Sequence, residues 1–215
     1  MTSAQQISRE RQQGIGAAKS LWVAITCATA WVSAGDLPAQ TAYTAKAGKI
    51  TFSVGSNVPL VTVNGSSSAV VGGGQATIAE DTATIRNLRF EVDPKTFKTG
   101  IKLRDDHLYD KVFTTADGAR PKIILHADRF LAKLDPKSSK WEGTLEAKLT
   151  MRGVTKPVSF HATAEKQGEG ATVTAEGVVK TSDFGVKPIS YSGAKVRDEV
   201  TVTVSNLAIA PSTLK

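Results

Sequence analysis

The sequence predicts an all-β protein, a barrel or sandwich of eight or nine antiparallel strands, and three observations carry that expectation. Apolar residues recur at every second position in at least five separate segments. The breaks between those segments are rich in turn-forming residues. Nowhere do strand-like runs alternate with long helical ones, which disfavours a nucleotide-binding α/β fold.

Ile50, Phe52 and Val54 alternate with Thr51 and Ser53. Leu88, Phe90 and Val92 alternate with Arg89 and Glu91, and Leu145, Ala147, Leu149 and Met151 with Glu146, Lys148 and Thr150. Val158, Phe160 and Ala162 follow the same rule, as do Val200, Val202 and Val204. Successive side chains of a strand point to opposite faces, so each set builds one apolar face and one wet face. Half-buried strands of this kind are mostly antiparallel. Residues 57–59, 72–74, 93–94, 135–136 and 168–170 interrupt the pattern with Gly, Pro, Asn or Asp and are expected as turns. The small-residue stretch NGSSSA at 64–69 is expected as a loop or a weak edge strand. One interval departs from period two. In LRDDHLYDKVF, residues 103–113, Leu108 and Val112 stand four apart, which predicts a helix of two to three turns.

Ahead of these strands, residues 1–34 read as a signal peptide. Arg9, Arg11 and Lys19 precede the apolar run LWVAITCATAWV at 21–32, and Val32-Ser33-Ala34 offers a small-residue cleavage site. The run is shorter than the roughly 20 residues that span a bilayer; a buried helix or a retained anchor is the alternative. Cys27, the single cysteine, lies inside it, so the exported chain would carry no thiol. Losing Arg9, Glu10, Arg11 and Lys19 with the leader takes the formal net charge from +7 to +5. The remaining charges are scattered, without the basic face or stacking aromatics of a nucleic-acid reader, and no nucleic-acid partner is expected. Transient contact with an anionic membrane surface and a homodimer stay open.

Three segments stand out, in order: TGIKLRDDHLYDKVF at 99–113 followed by PKIIL at 121–125, GTLEAKLTMRGVTKPV at 143–158, and SDFGV at 182–186 followed by VRDEVTVTV at 196–204. Together they resemble the YceI-like family of lipocalin-like, polyisoprenoid-binding proteins. The resemblance is weakest near the start, where Ala47-Gly48-Lys49 and the stretch 64–74 replace the family's usual residues, so a changed ligand preference is expected. The resemblance implies an eight-stranded antiparallel lipocalin-like barrel with one short helix and a long apolar tunnel. It implies an exported, periplasmic or secreted protein. The expected organisation is a flexible segment at 35–44, the barrel domain at 45–209 and a tail at 210–215. In the family pattern Arg104, Asp105 and His107 tie the helix to the barrel.

Catalytic and metal readings are weaker. His107, His126 and His161 are the only histidines and lack ligand-pair spacing, and His126 and His161 fall on the faces opposite the apolar ones. No nucleophile elbow is present. Asp183-Phe184-Gly185 spells a kinase motif without the rest of a kinase, and Gly72-Gly73-Gly74 lacks the residues that complete a phosphate loop. Asn64-Gly65-Ser66 forms a glycosylation sequon that matters only in a eukaryotic secretory route.

The periodicity itself leaves open whether the apolar faces meet as a packed core or surround a cavity; the resemblance implies the cavity. On that reading the protein is a non-enzymatic carrier of a long-chain apolar or amphiphilic ligand, a polyisoprenoid, quinone-like or fatty-acid derivative, with no other cofactor. The alternatives are a ligand-free interaction module of the envelope or a hydrolase or isomerase built on the His107 region. Candidate tunnel residues on the strands are Phe52, Leu88, Phe90, Ile123 and Leu125, continuing with Leu145, Leu149, Phe160 and Phe184. Leu108 and Phe113 on the helix would close one end, and Tyr109 or Asn87 would meet a head group.

Overall fold

The computed structural model describes residues 39–191 and 193–212; the expected leader at 1–34 lies outside them. Strand β1 (Thr41–Gly55) is followed by β2 (Thr62–Ser67), β3 (Val70–Ala79) and β4 (Thr82–Val92). A connection containing α1 (Lys102–His107) leads to β5 (Ile123–Asp135), β6 (Lys140–Met151), β7 (Val154–Gln167) and β8 (Gly170–Lys180). The short pair β9 (Ser190–Tyr191) and β10 (Ala194–Lys195) precedes β11 (Glu199–Pro211). Every pairing is antiparallel. The sheet runs β11-β8-β7-β6-β5-β4-β3-β1, and β11 also pairs with β1, so eight strands close into a barrel as the sequence predicts. Closure leaves the barrel strands no free edge.

The turns follow local chemistry. Between β6 and β7, Arg152 and Gly153 both adopt positive φ, 56° and 76°, the two-residue hairpin whose twist matches its strands. Between β5 and β6, the Asp135 carboxylate accepts the amides of Lys137 and Ser138 at 3.1 and 3.2 Å. The connection from β4 to β5 crosses one end of the barrel. Asp93 caps a 3₁₀ turn at Pro94–Thr96, and α1 continues as a π-helical turn over Leu108–Phe113. The expected helix at 103–113 therefore forms, with its second half wound more loosely. Among the described residues no helix is long and apolar enough to cross a membrane.

Several expectations are corrected. The barrel starts at Thr41 and not at 45, because Thr41–Thr44 pair with Gly73–Ala76 of β3 on one side while Tyr43–Ala45 pair with β11 on the other. It ends at Pro211 and not at 209, since Tyr43 pairs with Pro211. Gly72–Gly74 do not turn; they lie within β3. A Cβ at Gly73 would stand 1.9 Å from the Tyr43 carbonyl oxygen, so glycine permits the close approach of β1. Of the two readings for 64–69, a loop or a weak edge strand, residues 64–67 take the second, as the end of the edge strand β2. Thr41 faces Ala76 and Ile50 faces Ser67, which places β2 and β3 in a single register along β1.

Candidate functional site

The inward side chains do not meet in the middle. They surround a cavity of about 590 Å³. Its wall is built mainly of aliphatic and aromatic side chains, and its size falls within the roughly 300–1,000 Å³ of small-molecule sites.

The hollow survives because the large rings have somewhere to lie. Of the six phenylalanines that line it, four lie on barrel strands: Phe52, Phe90, Phe130 and Phe160. Each abuts a glycine on a neighbouring strand. Phe52 pairs with Gly65, Phe90 with Gly72 and Phe160 with Gly177. A Cβ at Gly65 would stand 2.4 Å from two carbons of the Phe52 ring, one at Gly72 2.8 Å from Phe90 Cδ1, and one at Gly177 2.7 Å from Phe160 Cδ1. Phe130 stands in the same relation to Gly143, at 3.0 Å. At Gly65 the ring is the nearest obstacle, whereas at Gly72, Gly143 and Gly177 a backbone carbonyl oxygen would stand closer still, at 2.1, 2.4 and 2.5 Å; in each case the ring lies where no side chain competes with it.

The structure brings ten of the eleven expected tunnel residues onto this wall: Phe52, Leu88, Phe90, Leu108 and Phe113, together with Ile123, Leu125, Leu145, Leu149 and Phe160. Phe184 is different. It is 1% exposed in the 3₁₀ turn Thr181–Phe184 and packs in the hydrophobic core, off the cavity wall. Its neighbours Ser182 and Val186 do line the cavity, at one end of the barrel. Neither head-group candidate lines the cavity. The Tyr109 hydroxyl donates to the Phe97 carbonyl at 2.7 Å and accepts from Lys98 Nζ at 2.8 Å, while the Asn87 amide donates to Gln75 at 3.0 Å.

Sequence reasoning missed Ile85, Phe130, Ala132, Trp141 and Val173, all on the wall. Ile85 and Leu88 both face inward although they are three apart, because Asn87 between them has φ 51° and breaks the alternation. In β11 the same thing happens at Asn206 (φ 50°), beside the register shift between Val204 and Leu207.

Polar groups gather at the two ends. At the end bearing the β7–β8 turn stand Gln75, Lys166 and Glu169; at the opposite end stand Thr181, Ser182, Lys187, Arg197 and Asp198. Asp198 is held in place by its neighbours. Its carboxylate accepts the Ser182 hydroxyl at 2.6 Å, the Ser182 amide at 2.7 Å and the Thr181 hydroxyl at 2.8 Å. The Ser182 hydroxyl bond, against a smaller opposing effect of burial, holds the Asp198 carboxyl below its ordinary value.

The helix beside the lumen is anchored by charge. Asp105, 8% exposed, accepts the Thr99 amide and hydroxyl, both at 2.6 Å, and Arg104 donates to the Thr99 carbonyl at 2.7 Å. Burial would raise the Asp105 carboxyl, but the two Thr99 bonds and nearby Lys98 and Arg104 outweigh it and leave the group below its usual range. His126 points outward and meets the Leu88 carbonyl at 3.1 Å and Asp128 at 2.9 Å; His161 is also exposed. Among the described residues no three His, Cys, Asp or Glu side chains converge as metal ligands.

Comparison with known proteins agrees with this architecture. The family model described as the YceI-like domain matches residues 42–207. Among solved structures, a polyisoprenoid-binding domain from Saccharophagus degradans, implicated in plant cell wall breakdown, superposes with a TM-score of 0.54 at 14% identity, covering 80% of this chain and 99% of its own. BcnA of Burkholderia cenocepacia superposes with a TM-score of 0.52 at 18% identity, covering 76% of this chain and 96% of its own. No curated protein sequence matches the chain.

Proposed function

The chain belongs to the YceI-like family, and from that premise we propose that it binds a long-chain apolar or amphiphilic molecule inside the barrel and carries or sequesters it. The observation that carries this reading is the cavity of about 590 Å³ with an apolar wall. A hydrocarbon tail gains about 0.8 kcal/mol for each methylene it buries, so a greasy lumen needs no dedicated polar chemistry to bind it. The polar groups confined to the ends suit a molecule whose body is apolar and whose head is wet. Polyisoprenoids, quinone-like lipids and fatty-acid derivatives share that form, and a polyisoprenoid-binding domain is among the proteins with this fold. The role is binding and not catalysis. Export through the leader would bring the barrel to the envelope or the exterior, where a water-insoluble cargo needs a carrier.

Solvent extraction of the purified protein followed by mass spectrometry tests the proposal. A carrier releases a lipid with a long hydrocarbon body, and a Leu149→Glu variant, with a charge on the wall, releases none while keeping the far-ultraviolet spectrum of a β protein. An extract without lipid, together with no uptake of a fluorescent long-chain fatty acid, would leave the interior without a cargo and overturn the reading.

A further inference from the structure

The β1–β2 connection ends in an apolar tip that the barrel does not use. Val58, Leu60 and Val61 are 39%, 103% and 44% exposed, and Pro59 stands between them. The tip is a braced turn. The Val61 amide donates to the Val58 carbonyl at 3.2 Å, and the Ser56 amide to the Val61 carbonyl at 3.1 Å. The Ser56 hydroxyl is bonded to both the amide and the carbonyl of Val58, each at 3.1 Å. With Pro59 at its second position and φ 62° at its third, the turn has the type II pattern, whose third position favours Gly or Asn. Leu60 stands there instead. It combines a backbone conformation that suits leucine poorly with full exposure of an apolar side chain, and neither helps a barrel in water.

Positive charge frames the tip. The Asn57 amide donates to the Lys195 carbonyl at 2.9 Å, its side-chain oxygen accepts the Lys195 amide at 2.6 Å, and the Arg197 amide donates to the Gly55 carbonyl at 2.9 Å. Lys187 lies at the same end, and Lys187, Lys195 and Arg197 are all exposed. Among the nearby acids, Glu199 faces Lys180 at 3.7 Å and Asp110, which lies near Lys187, faces Arg120 at 2.6 Å, while Asp198 keeps its charge in its bonds to Thr181 and Ser182. Asp183 is the remaining acid on this connection, and no acidic residue occurs between 50 and 79. Lys187 and Arg197 also line the end of the cavity. An apolar tip framed by basic residues is the chemistry that enters an anionic lipid surface.

We propose that this end of the barrel docks on an anionic lipid bilayer. Val58, Leu60 and Val61 enter the boundary between head groups and acyl chains, while Lys187, Lys195 and Arg197 meet the phosphates. Docking brings the end of the cavity lined by Lys187 and Arg197 to the membrane, so the inference extends the carrier reading by naming the end at which cargo is loaded or delivered, and it rests on that reading.

A label that reports polarity tests it in the full chain with Cys27→Ser. The dye is placed on Val58→Cys at the tip, or on Ser138→Cys in the β5–β6 turn at the opposite end. Vesicles of phosphatidylcholine containing phosphatidylglycerol should brighten the tip label and leave the other unchanged, and phosphatidylcholine alone should do much less. Adding Leu60→Gly should weaken the vesicle response of the tip label by roughly tenfold, because one buried leucine is lost. Reversing Lys195 to Glu should weaken it at least about fivefold. An unchanged tip label with anionic vesicles, an equal response from both labels, or equal binding by Leu60→Gly would overturn the proposal, the second pointing to insertion elsewhere in the chain. Uptake of a fluorescent long-chain fatty acid without vesicles separates this from the carrier reading. Leu60→Gly should retain it; wild-type protein that takes up the fatty acid but whose tip stays in water loses only the docking inference, and insertion without uptake loses only the carrier.

Discussion

The Phe52 ring occupies the space that a side chain at Gly65 would need: a Cβ there would stand 2.4 Å from two ring carbons and 3.2 Å from the Lys98 carbonyl oxygen. The pair lies directly across β1 and β2, and Phe52 also touches Phe97, with centroids 5.9 Å apart. The obstacle to a larger residue at 65 is thus first a ring and only second a backbone.

Gly65→Ala should therefore destabilise the barrel by about 1–3 kcal/mol, the usual cost of overpacking a close-packed site. Adding Phe52→Leu, which removes the ring, should recover part of that loss. Denaturant unfolding of the two single variants and the double variant measures the coupling. Additive effects would show that the ring is not what glycine accommodates.

Phe90, Phe130 and Phe160 also lie against glycines, although there a backbone carbonyl would stand closer than the ring, and these contacts mark where the sequence stopped being legible. Alternation identified the lower stretches of the strands well: Ile50 to Val54, Leu88 to Val92 and Val200 to Val204 face inward as period two requires. It could not be continued past Asn87 or Asn206, where a positive φ resets which residues face the lumen. Ile85 and Ile209 therefore stayed hidden, though Asn is a residue that tolerates that conformation. Phe184 failed for another reason. Its place next to β8 suggested an inward strand residue, whereas the chain there turns into a 3₁₀ helix that ends at Gly185 with φ 71°. A hollow as opposed to a solid interior was beyond composition altogether, because it depends on which glycine faces which ring across strands distant in sequence.

The helix offers a second test. Tyr109 holds the looser π-helical half against the 95–98 segment through its bond to the Phe97 carbonyl, with the Lys95 carbonyl also within 3.2 Å. Tyr109→Phe keeps the ring and removes the hydroxyl, which should cost about 1 kcal/mol. Amide exchange should speed up over residues 102–113 and change little in β6 and β7. Uniform acceleration across the barrel would mean that the bond supports the whole fold and not the helix alone.

Acid should loosen the same region. The Asp105 carboxyl titrates below its ordinary value in the folded protein, so it binds a proton less readily there than in the unfolded chain. Its contribution to stability is then fully present above the unfolded value near pH 4 and is lost as pH falls through the lower folded value. Thermal unfolding of Asp105→Asn should show a reduced midpoint near neutral pH, with the gap to wild type closing in acid. Asp198→Asn should behave alike, with a smaller gap because Asp198 is solvent-exposed. A gap that stays constant from neutral pH into strong acid would mean the carboxylates are not what the Thr99 and Ser182 donors stabilise.

Leu60 supplies the last test, since its conformation and its exposure can be separated. A non-glycine residue in the left-handed region costs about 1–2 kcal/mol when nothing compensates it, and asparagine pays less. Leu60 is 103% exposed, so replacing it removes no packing. Leu60→Asn should thus leave the denaturant midpoint unchanged or raise it by the equivalent of about 1 kcal/mol, with an unchanged slope because the same surface is exposed on unfolding. A clear fall in the midpoint would show that Leu60 packs against the barrel in solution, and the turn would then be an ordinary part of the fold. A raised midpoint leaves a leucine that costs the isolated protein stability, and a steady one leaves a leucine that adds none; in both cases its place at the tip has to be explained by something outside the barrel.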